Sequence, residues 1–252
     1  MKRILSTLSQ KWPEYLLEIL VITIGILGAF ALNNWNEDRK SQQEAQELYQ
    51  QLLLDYESNL KQLNQKIELH RACVNSGFFV LNAMDKQQAN LDTLLIHISV
   101  QSIDVTFDPI KNDLSNSGKI NLISDQELNR LVSNWSSDLA ALREMELMWQ
   151  GRVYGQFLSL LMEMGIERDV QSKFWEIENI HTDWLLDREV VEFQPMKKSR
   201  TPPNVHEILE NKQLESIVSH GVVMNQGAIE QSLALKTRIE RTISLLKEKI
   251  ES

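Results

Sequence analysis

The segment from residue 15 to residue 35 reads YLLEILVITIGILGAFALNNW and contains one formally charged side chain, Glu18. A helix rises about 1.5 Å per residue, so this segment would span roughly the 30 Å hydrocarbon core of a bilayer. The sequence therefore predicts an N-terminal transmembrane helix, with the lipid bilayer as its first partner. Three parts follow: an N-terminal tail over residues 1–14, the transmembrane helix over residues 15–35, and a helical bundle domain over residues 36–252.

The flanks of this segment have features typical of a membrane anchor. Aromatic rings with a polar NH or OH group suit the headgroup region on both sides. Glu18 lies one turn inside, where its carboxylate can reach the interface, take a proton or meet a partner helix. Gly25 and Ala29 form a small-xxx-small pair that would let two such helices approach closely, although lipid-facing small residues explain the pair equally well. The residues assigned to the anchor are Trp12, Tyr15, Glu18, Gly25, Ala29 and Trp35.

The charges on the two sides of the segment predict its orientation. Three Lys or Arg side chains precede it and two follow it closely, which favours a cytoplasmic N-terminus and a domain in the periplasm or outside the cell. A cleaved signal peptide is the alternative, because residues 29–31 read Ala-Phe-Ala, and it would export the same domain. We favour the uncleaved anchor because the apolar run is longer than a usual signal core.

Composition limits the class of protein. The net charge is −9, so a nucleic acid backbone would be repelled and we predict no nucleic acid partner. Cys73 is the single cysteine, which excludes an intrachain disulfide and a cysteine-rich metal site. The 9 Gly and 5 Pro leave long uninterrupted stretches, which favours helices over a turn-rich sheet protein.

After the anchor, apolar residues recur at spacings of three and four, which predicts one stripe along a helix with otherwise polar faces. No proline separates this stripe from the anchor, so the membrane helix is expected to continue into it as a stiff stalk. Such a stripe must be covered, either by another protein or by the chain's own C-terminal helix. The candidate interaction residues are Tyr49, Leu53, Tyr56, Leu60, Leu63 and Ile67.

Further patterns predict helices along the rest of the chain, so the expected fold class is all-α. A helix is expected over residues 91–99, a short one from Pro109 to Gly118, and another after a capping box that begins at Ser124. A helical period then runs from Leu128 over about nine turns, with a core position at either residue 145 or residue 146.

The last third of the chain combines an irregular part with a long helix. An irregular linker is expected at about residues 188–203, with a helix cap at Asn204 and a last long helix to the C-terminus. The linker's basic side chains could touch lipid headgroups or an acidic partner, although solvation alone explains such charges: Lys197, Lys198 and Arg200.

The sequence contains no recognisable catalytic, cofactor-binding or metal-binding motif. His70 and Cys73 supply just two possible metal ligands on one helix face, and the five histidines have no other usable spacing. Residues 117–119 read Ser-Gly-Lys but lack the earlier glycine of a phosphate loop. The acidic residues of 183–192 have no sequence signature of paired-carboxylate catalysis. We therefore predict no enzyme activity, no cofactor and no metal.

Two segments resemble a known family. Residues 18–37 contain IGIL and the membrane exit ALNNWNE, and residues 107–123 end in the turn SGKINLI. They are similar to an uncharacterised family of bacterial single-span membrane proteins, a domain of unknown function. The resemblance implies an N-terminal anchor and a helical domain, and it implies no activity. Separately, we expect the anchor to lie in the bacterial inner (plasma) membrane.

Two functions remain in competition. The first is a structural or protein-interaction component of the bacterial cell envelope, either self-associating or docked to another envelope membrane protein. The second is a membrane-tethered sensor that binds a small ligand between the helices of the bundle, a common place for such sites.

Overall fold

The computed structural model describes residues 2–110, 114, 118–174 and 196–251, and of the side chains before residue 16 it describes that of Trp12. Every regular element in these ranges is helical, which confirms the all-α prediction. A 3₁₀ turn covers Lys119–Leu122 and a π-helical turn covers Val153–Phe157. The α-helices are α1 (Lys2–Lys86), α2 (Leu91–Val100), α3 (Gln126–Ser133), α4 (Trp135–Arg152), α5 (Leu158–Glu163), α6 (Glu167–Phe174), α7 (Val205–Leu209) and α8 (Lys212–Glu251).

Helix α1 joins the apolar N-terminal segment to the domain without a break. Its 85 residues correspond to a length of about 130 Å. Its side chains are exposed from residue 16 to residue 44, and burial begins at residue 45. At the expected membrane exit, Asn33 Nδ2 donates to Glu37 Oε1 at 2.8 Å, so the helix continues through the asparagine pair. The prediction that the apolar helix continues into the domain is confirmed.

The domain is built on an antiparallel pair of α1 and α8. Gln46 Nε2 donates to the Lys249 carbonyl at 3.0 Å, and 24 residues further along α1 the His70 ring is bonded to Asn225. Helix α4 packs against α8 and runs antiparallel to it, with Trp149 against Gly221 and an ion pair between Asp138 and Arg238. The C-terminal end of α8 therefore lies at the part of the domain nearest to the apolar segment.

The apolar stripe of α1 lies in this core. Tyr49, Tyr56, Leu63 and Ile67 are buried, and Leu53 and Leu60 are partly buried beside them. The residues that cover them include α8 side chains such as Leu235, Ile239 and Leu246. The hypothesis that this stripe contacts another protein is corrected here: the chain's own C-terminal helix, the alternative left open above, covers it.

Two large apolar cores divide the domain along its length, and a third, smaller cluster contains Cys73 and Ile103. The first contains the α1 stripe and the C-terminal half of α8. The second surrounds Trp149 and Phe157, with Val80 from α1 and Val218 from α8. The buried polar residues between them include His70 of α1, Glu146 of α4 and Asn225 of α8. The bundle therefore has a polar layer, defined by these three side chains, between two apolar cores.

The helix start predicted at Asn204 is present: its side-chain oxygen caps α7. Asn90, which no sequence pattern singled out, caps α2 in the same way. At α3 the cap is Asp125, whose carboxylate accepts the Leu128 N–H at 3.0 Å. The capping box predicted at Ser124 is therefore wrong by one residue, because the carboxylate one position later takes the free N–H groups of the first turn.

The helix predicted from Pro109 does not begin there. Residues 103–110 have no regular structure, and the remainder of that prediction lies largely outside the described residues. Gly118 has φ +71°, the left-handed conformation expected at the turn, and it precedes the 3₁₀ turn. Asn129 Nδ2 then donates to the Ile120 carbonyl at 3.0 Å, which fixes the turn against α3.

The predicted linker is described from residue 196 onwards, and residues 188–195 lie outside the described ranges. Residues 196–199 have no regular structure. Lys198 Nζ lies 2.7 Å from Asp92 Oδ1, and the Ser199 N–H donates to Asp169 Oδ1 at 3.0 Å. The linker is thus attached to α2 and α6.

Candidate functional site

An extended segment runs alongside α4 and forms one wall of a cavity. We call residues 103–110 the strap. Trp149 Nε1 donates to the Ile103 carbonyl at 3.1 Å, and Asp104 Oδ2 accepts from both Gln150 and Tyr154 at 3.0 Å. Because these donors lie on α4 and on the π-helical turn after it, they hold the strap to that face.

The other end of the strap is fixed to α1. The Ile110 N–H donates to Asn59 Oδ1 at 2.8 Å, and Asn59 Nδ2 donates to the Ile110 carbonyl at 3.1 Å. Asn59 is buried on the apolar stripe, where an unpaired amide would be costly. The strap therefore replaces water as the partner of this amide and is held from both sides.

A cavity of about 280 Å³ lies between the strap and α4. Most of its wall is apolar, and the polar exceptions lie at its rim and at its floor. Three exposed residues of α4, Ser136, Ala140 and Arg143, mark its open side. The lining consists of Phe107, Asp108, Pro109, Ser136, Leu139, Ala140, Leu142, Arg143 and Glu146.

Glu146 forms the buried end of this cavity. It is 2% exposed, and its Oε1 atom accepts the Phe107 N–H at 2.9 Å. Its Oε2 atom accepts no hydrogen bond from the described part of the chain, and Arg143 Nη1 lies 3.6 Å away from it. A buried carboxylate oxygen without a donor is destabilising and marks a place where a donor would bind.

Behind Glu146 lies the rest of the polar layer. Asn225 Nδ2 donates to the Gly221 carbonyl at 2.8 Å, so its Oδ1 atom accepts from His70 Nδ1 at 2.7 Å. This network assigns the ring proton to Nδ1. His70 Nε2 then faces Glu146 Oε1 at 4.0 Å and has no hydrogen-bond partner among the described residues.

A second groove, of about 780 Å³, lies between α8 and the end of α4, next to the π-helical turn. It contains Arg152, Lys212 and His220. Burial, and then the nearby charge of Arg152, lower the pKa of His220. No buried polar atom without a partner belongs to its described lining. The groove therefore lacks the unsatisfied group that distinguishes the first cavity.

The anchor residues assigned from the sequence do not meet the domain. Trp12, Glu18 and Trp35 are exposed, and a Cβ atom built on Gly25 would contact nothing within 4 Å. Ala29 is exposed as well. The side chain of Tyr15 and the acidic residues of 183–192 lie outside the described residues.

The structure also separates the two possible metal ligands on α1. Cys73 is fully buried, and its thiol donates to the Val100 carbonyl at 3.5 Å. Burial raises the pKa of the Cys73 thiol to about 12, so the thiol stays protonated. His70 turns instead to Asn225. Among the described residues, no group of three or more acidic, histidine or cysteine side chains could hold a metal ion.

The sequence did not single out Glu146 or the strap. Position 146 was one of two alternatives for a core position in the α4 period, and it is the buried one, whereas Met145 is partly buried. A charged residue in phase with an apolar stripe was the available signal. His70 lies in phase with the α1 stripe in the same way, three residues after Ile67.

Fold and site together define an all-α protein in which one helix carries an exposed apolar segment long enough to cross a membrane and continues into a bundle with a buried polar layer. The chain belongs to the family of unknown function DUF6090, whose model matches residues 18–154. That range contains most of the apolar segment, the strap and Glu146. Comparisons with curated proteins and with solved structures returned no match.

Proposed function

We propose that this protein is a membrane-anchored interaction protein of the bacterial cell envelope, whose first helix fixes a helical domain at a set distance from the bilayer. One observation carries the proposal: α1 passes without interruption from an exposed apolar segment into the buried core of the domain. A flexible linker would be enough to tether a domain to the membrane. A continuous helix additionally fixes the distance of the domain from the bilayer and its rotation about the helix axis.

The part of α1 between these two regions supports a spacer role. From residue 36 to residue 44 every side chain is exposed, and the sequence NEDRKSQQE is polar all round. A helix that is polar on every face has no core to join and bridges two regions through solvent. These nine residues would hold the domain about 14 Å beyond the membrane exit at Trp35.

A domain held rigidly at a set distance from the bilayer suits a partner in the same membrane, either a second copy of this chain or another envelope protein. The contacts between the domain and this partner would then form at a fixed distance from the bilayer. The apolar segment, free on every side here, offers a first contact region within the bilayer through Gly25 and Ala29.

The test replaces residues 36–44 by nine Gly and Ser residues and, as the matched control, by nine residues of a helical Ala, Glu and Lys sequence. Partners are captured by crosslinking in native membranes and identified by mass spectrometry. We expect the flexible variant to lose the reproducible partner or the self-crosslink, and the helical variant to keep it. Equal capture by both variants would contradict a role for rigidity, and no reproducible capture from the wild type would contradict the interaction function.

For the location we propose the inner membrane, with the N-terminus in the cytoplasm and the domain in the periplasm. Cys73 is buried and protonated, so a cysteine introduced at exposed Ser41 would be the reactive thiol. A membrane-impermeant maleimide should label Ser41→Cys in spheroplasts, and wild-type protein should stay unlabelled. Labelling of Ser41→Cys only after lysis would reverse the proposed orientation.

The cavity beside the strap favours a second candidate function, a ligand sensor. The cavity ends at Glu146 in the layer that joins α1, α4 and α8, so a bound molecule would contact helix α4 directly and α1 through His70. In this function a ligand would change the crosslinks made by α1 with its partner.

A further inference from the structure

We propose that the cavity beside the strap binds a small molecule that carries an ammonium group on an apolar body, with Glu146 as the residue that binds the ammonium group. The proposal gives a ligand class to the second proposed function, that of a sensor, and it leaves the interaction function unaffected.

The geometry of Glu146 indicates a ligand with an ammonium group. The carboxylate is buried, and its two oxygens differ in what they contact. Oε1 accepts the Phe107 N–H, whereas Oε2 accepts nothing from the described residues and lies toward Arg143, which also lines the cavity. A cationic donor placed in the cavity would supply the hydrogen bond that Arg143, 3.6 Å from Oε2, does not make.

The polar layer behind the carboxylate does not supply this donor. His70 already donates to Asn225 through Nδ1, and its Nε2 atom is 4.0 Å from Oε1. Asn225 donates one hydrogen of its amide to the Gly221 carbonyl. Among the described residues the Phe107 N–H is therefore the hydrogen-bond donor to Glu146, and its Oε2 atom has none.

The apolar walls of the cavity indicate a ligand with an apolar body. Phe107 and Pro109 of the strap face Leu139 and Leu142 of α4 across the cavity. A volume of about 280 Å³ suits a small molecule with a branched hydrocarbon chain. Because hydrogen bonds hold the strap at both ends, the cavity is formed before a ligand arrives, which lowers the cost of binding.

Arg143 distinguishes two kinds of ligand within this class. Its side chain is 46% exposed at the rim, one helical turn from Glu146. A simple amine would contact only Glu146, and the guanidinium would turn to solvent. An amino acid would in addition place its carboxylate on Arg143, where a guanidinium binds it well.

The experiment measures binding of three matched probes to the full-length protein in phosphatidylglycerol nanodiscs, by isothermal titration calorimetry. The probes share one hydrocarbon body: 3-methylbutylamine, leucine, which adds a carboxylate, and 3-methylbutan-1-ol, which replaces the ammonium group by a hydroxyl. We expect saturable binding of the amine, of leucine or of both. Binding of the alcohol should be roughly tenfold or more weaker than that of the probe that binds.

Two variants and one control assign the binding to this cavity. Glu146→Gln keeps an acceptor for the Phe107 N–H and removes the charge, and it should weaken binding roughly tenfold or more. Ala140→Phe fills the open side from an exposed position and should abolish binding without touching Glu146. Glu144→Gln removes an exposed charge from the same helix and should leave binding unchanged.

The outcomes separate the alternatives. A loss of leucine binding with unchanged amine binding in Arg143→Gln assigns the ligand to the amino acids, and amine binding without leucine binding assigns it to simple amines. Absence of saturable binding of both charged probes, alcohol binding as tight as theirs, or equal binding in the wild type and Ala140→Phe would overturn the proposal. If circular dichroism shows that Glu146→Gln does not fold, the result for Ala140→Phe tests the proposed binding site.

Ligand binding that leaves the crosslinks of α1 unchanged would contradict the sensor function, whereas the proposed binding site would stand.

Discussion

Helix α1 contains two apolar regions that look alike in composition and differ in their arrangement. In residues 16–35 the apolar side chains cover every face of the helix, and all of them are exposed. In residues 49–67 they form one stripe, and that stripe is covered by α8. The two regions show that the spacing of the apolar residues is more informative than their number. Apolar residues on one face of a helix indicate packing against a protein core, and apolar residues on every face indicate a helix surrounded by an apolar environment such as lipid.

The glycines of the two regions differ in the same way. A Cβ atom built on Gly25 or Gly28 would meet nothing within 4 Å, whereas one built on Gly221 of α8 would lie 2.6 Å from the Trp149 ring. A Cβ atom built on Gly77, in the domain part of α1, would lie 2.5 Å from Val222 Cγ2. Gly77 and Gly221 are therefore required by packing, whereas Gly25 and Gly28 are open to a neighbouring helix.

The largest expected effect is on membrane retention. The double variant Ile24→Arg with Leu27→Arg should no longer be held by the membrane, because each arginine at the centre of a span costs about 3 kcal/mol on insertion scales. The measurement is the fraction of protein that stays in the membrane pellet after carbonate extraction. Its control is Leu54→Arg, on the domain part of the same helix, where Leu54 is 68% exposed to solvent and the change should matter little.

Retention of the double variant in the pellet would show that the apolar segment is not what holds the protein to the membrane. Loss of Leu54→Arg from the pellet would show that the domain part of α1 also meets lipid.

The next effect is on the stability of the domain. Leu63 is fully buried on the α1 stripe, so Leu63→Ala should lower the free energy of unfolding by about 2–5 kcal/mol. Leu54→Ala, one exposed side chain on the same helix, should change it by less than about 0.5 kcal/mol. Urea unfolding of the full chain in detergent measures both. Similar losses in the two variants would mean that the outer face of α1 is covered as well.

A smaller effect is expected at the close approach of α8 and α4. Gly221→Ala should destabilise the domain by about 1–3 kcal/mol, because its methyl group would overlap the Trp149 ring. Gly151→Ala lies in α4 with open space around it, and it should stabilise the helix by up to about 1 kcal/mol. Differential thermal unfolding should therefore move in opposite directions for the two variants. A gain in stability for Gly221→Ala would contradict this packing.

The smallest effect at neutral pH comes from the buried thiol, whose contribution begins in alkaline solution. In the unfolded chain Cys73 ionises near its ordinary pKa of 9.0, whereas in the fold its pKa is raised to about 12 by burial. The unfolded state therefore loses a proton first, and between pH 9 and about pH 12 the free energy of unfolding should fall by about 1.4 kcal/mol per pH unit on account of this group. Below pH 9 the thiol contributes no slope.

The comparison protein for this measurement is Cys73→Ala, which lacks the thiol. The slope of stability against pH above pH 9 should be steeper in the wild type than in the variant. Parallel slopes would show that the thiol ionises equally in both states and is not buried as described.

Much of the fold follows from patterns that act locally. The side-chain cap at Asn204, the left-handed Gly118 and the continuity of α1 depend on neighbouring residues, so the sequence predicts them. The partner of the α1 stripe does not follow, because α8 is more than 140 residues away along the chain and the stripe alone fits any apolar partner.

The candidate site was less predictable. It depends on three helices meeting at one level, and on a strap that takes an irregular path where Pro109 suggested a helix. The signals were Glu146 in phase with the α4 core positions and His70 in phase with the α1 stripe. Each of these residues considered alone is consistent with a polar side chain tolerated in a core. Only the fold places them in one layer, with His70 Nε2 4.0 Å from Glu146 Oε1.

The central claim, that α1 continues as one helix from the apolar segment into the domain, is tested most directly by a distance measurement across the junction. Spin labels at exposed Ala31→Cys and Leu54→Cys, in full-length protein diluted with unlabelled protein in nanodiscs, are 23 residues apart in α1. Double electron–electron resonance should give one narrow distribution near about 35 Å. A broad distribution, or a mean well below that value, would show a hinge at the membrane exit and contradict rigid presentation of the domain.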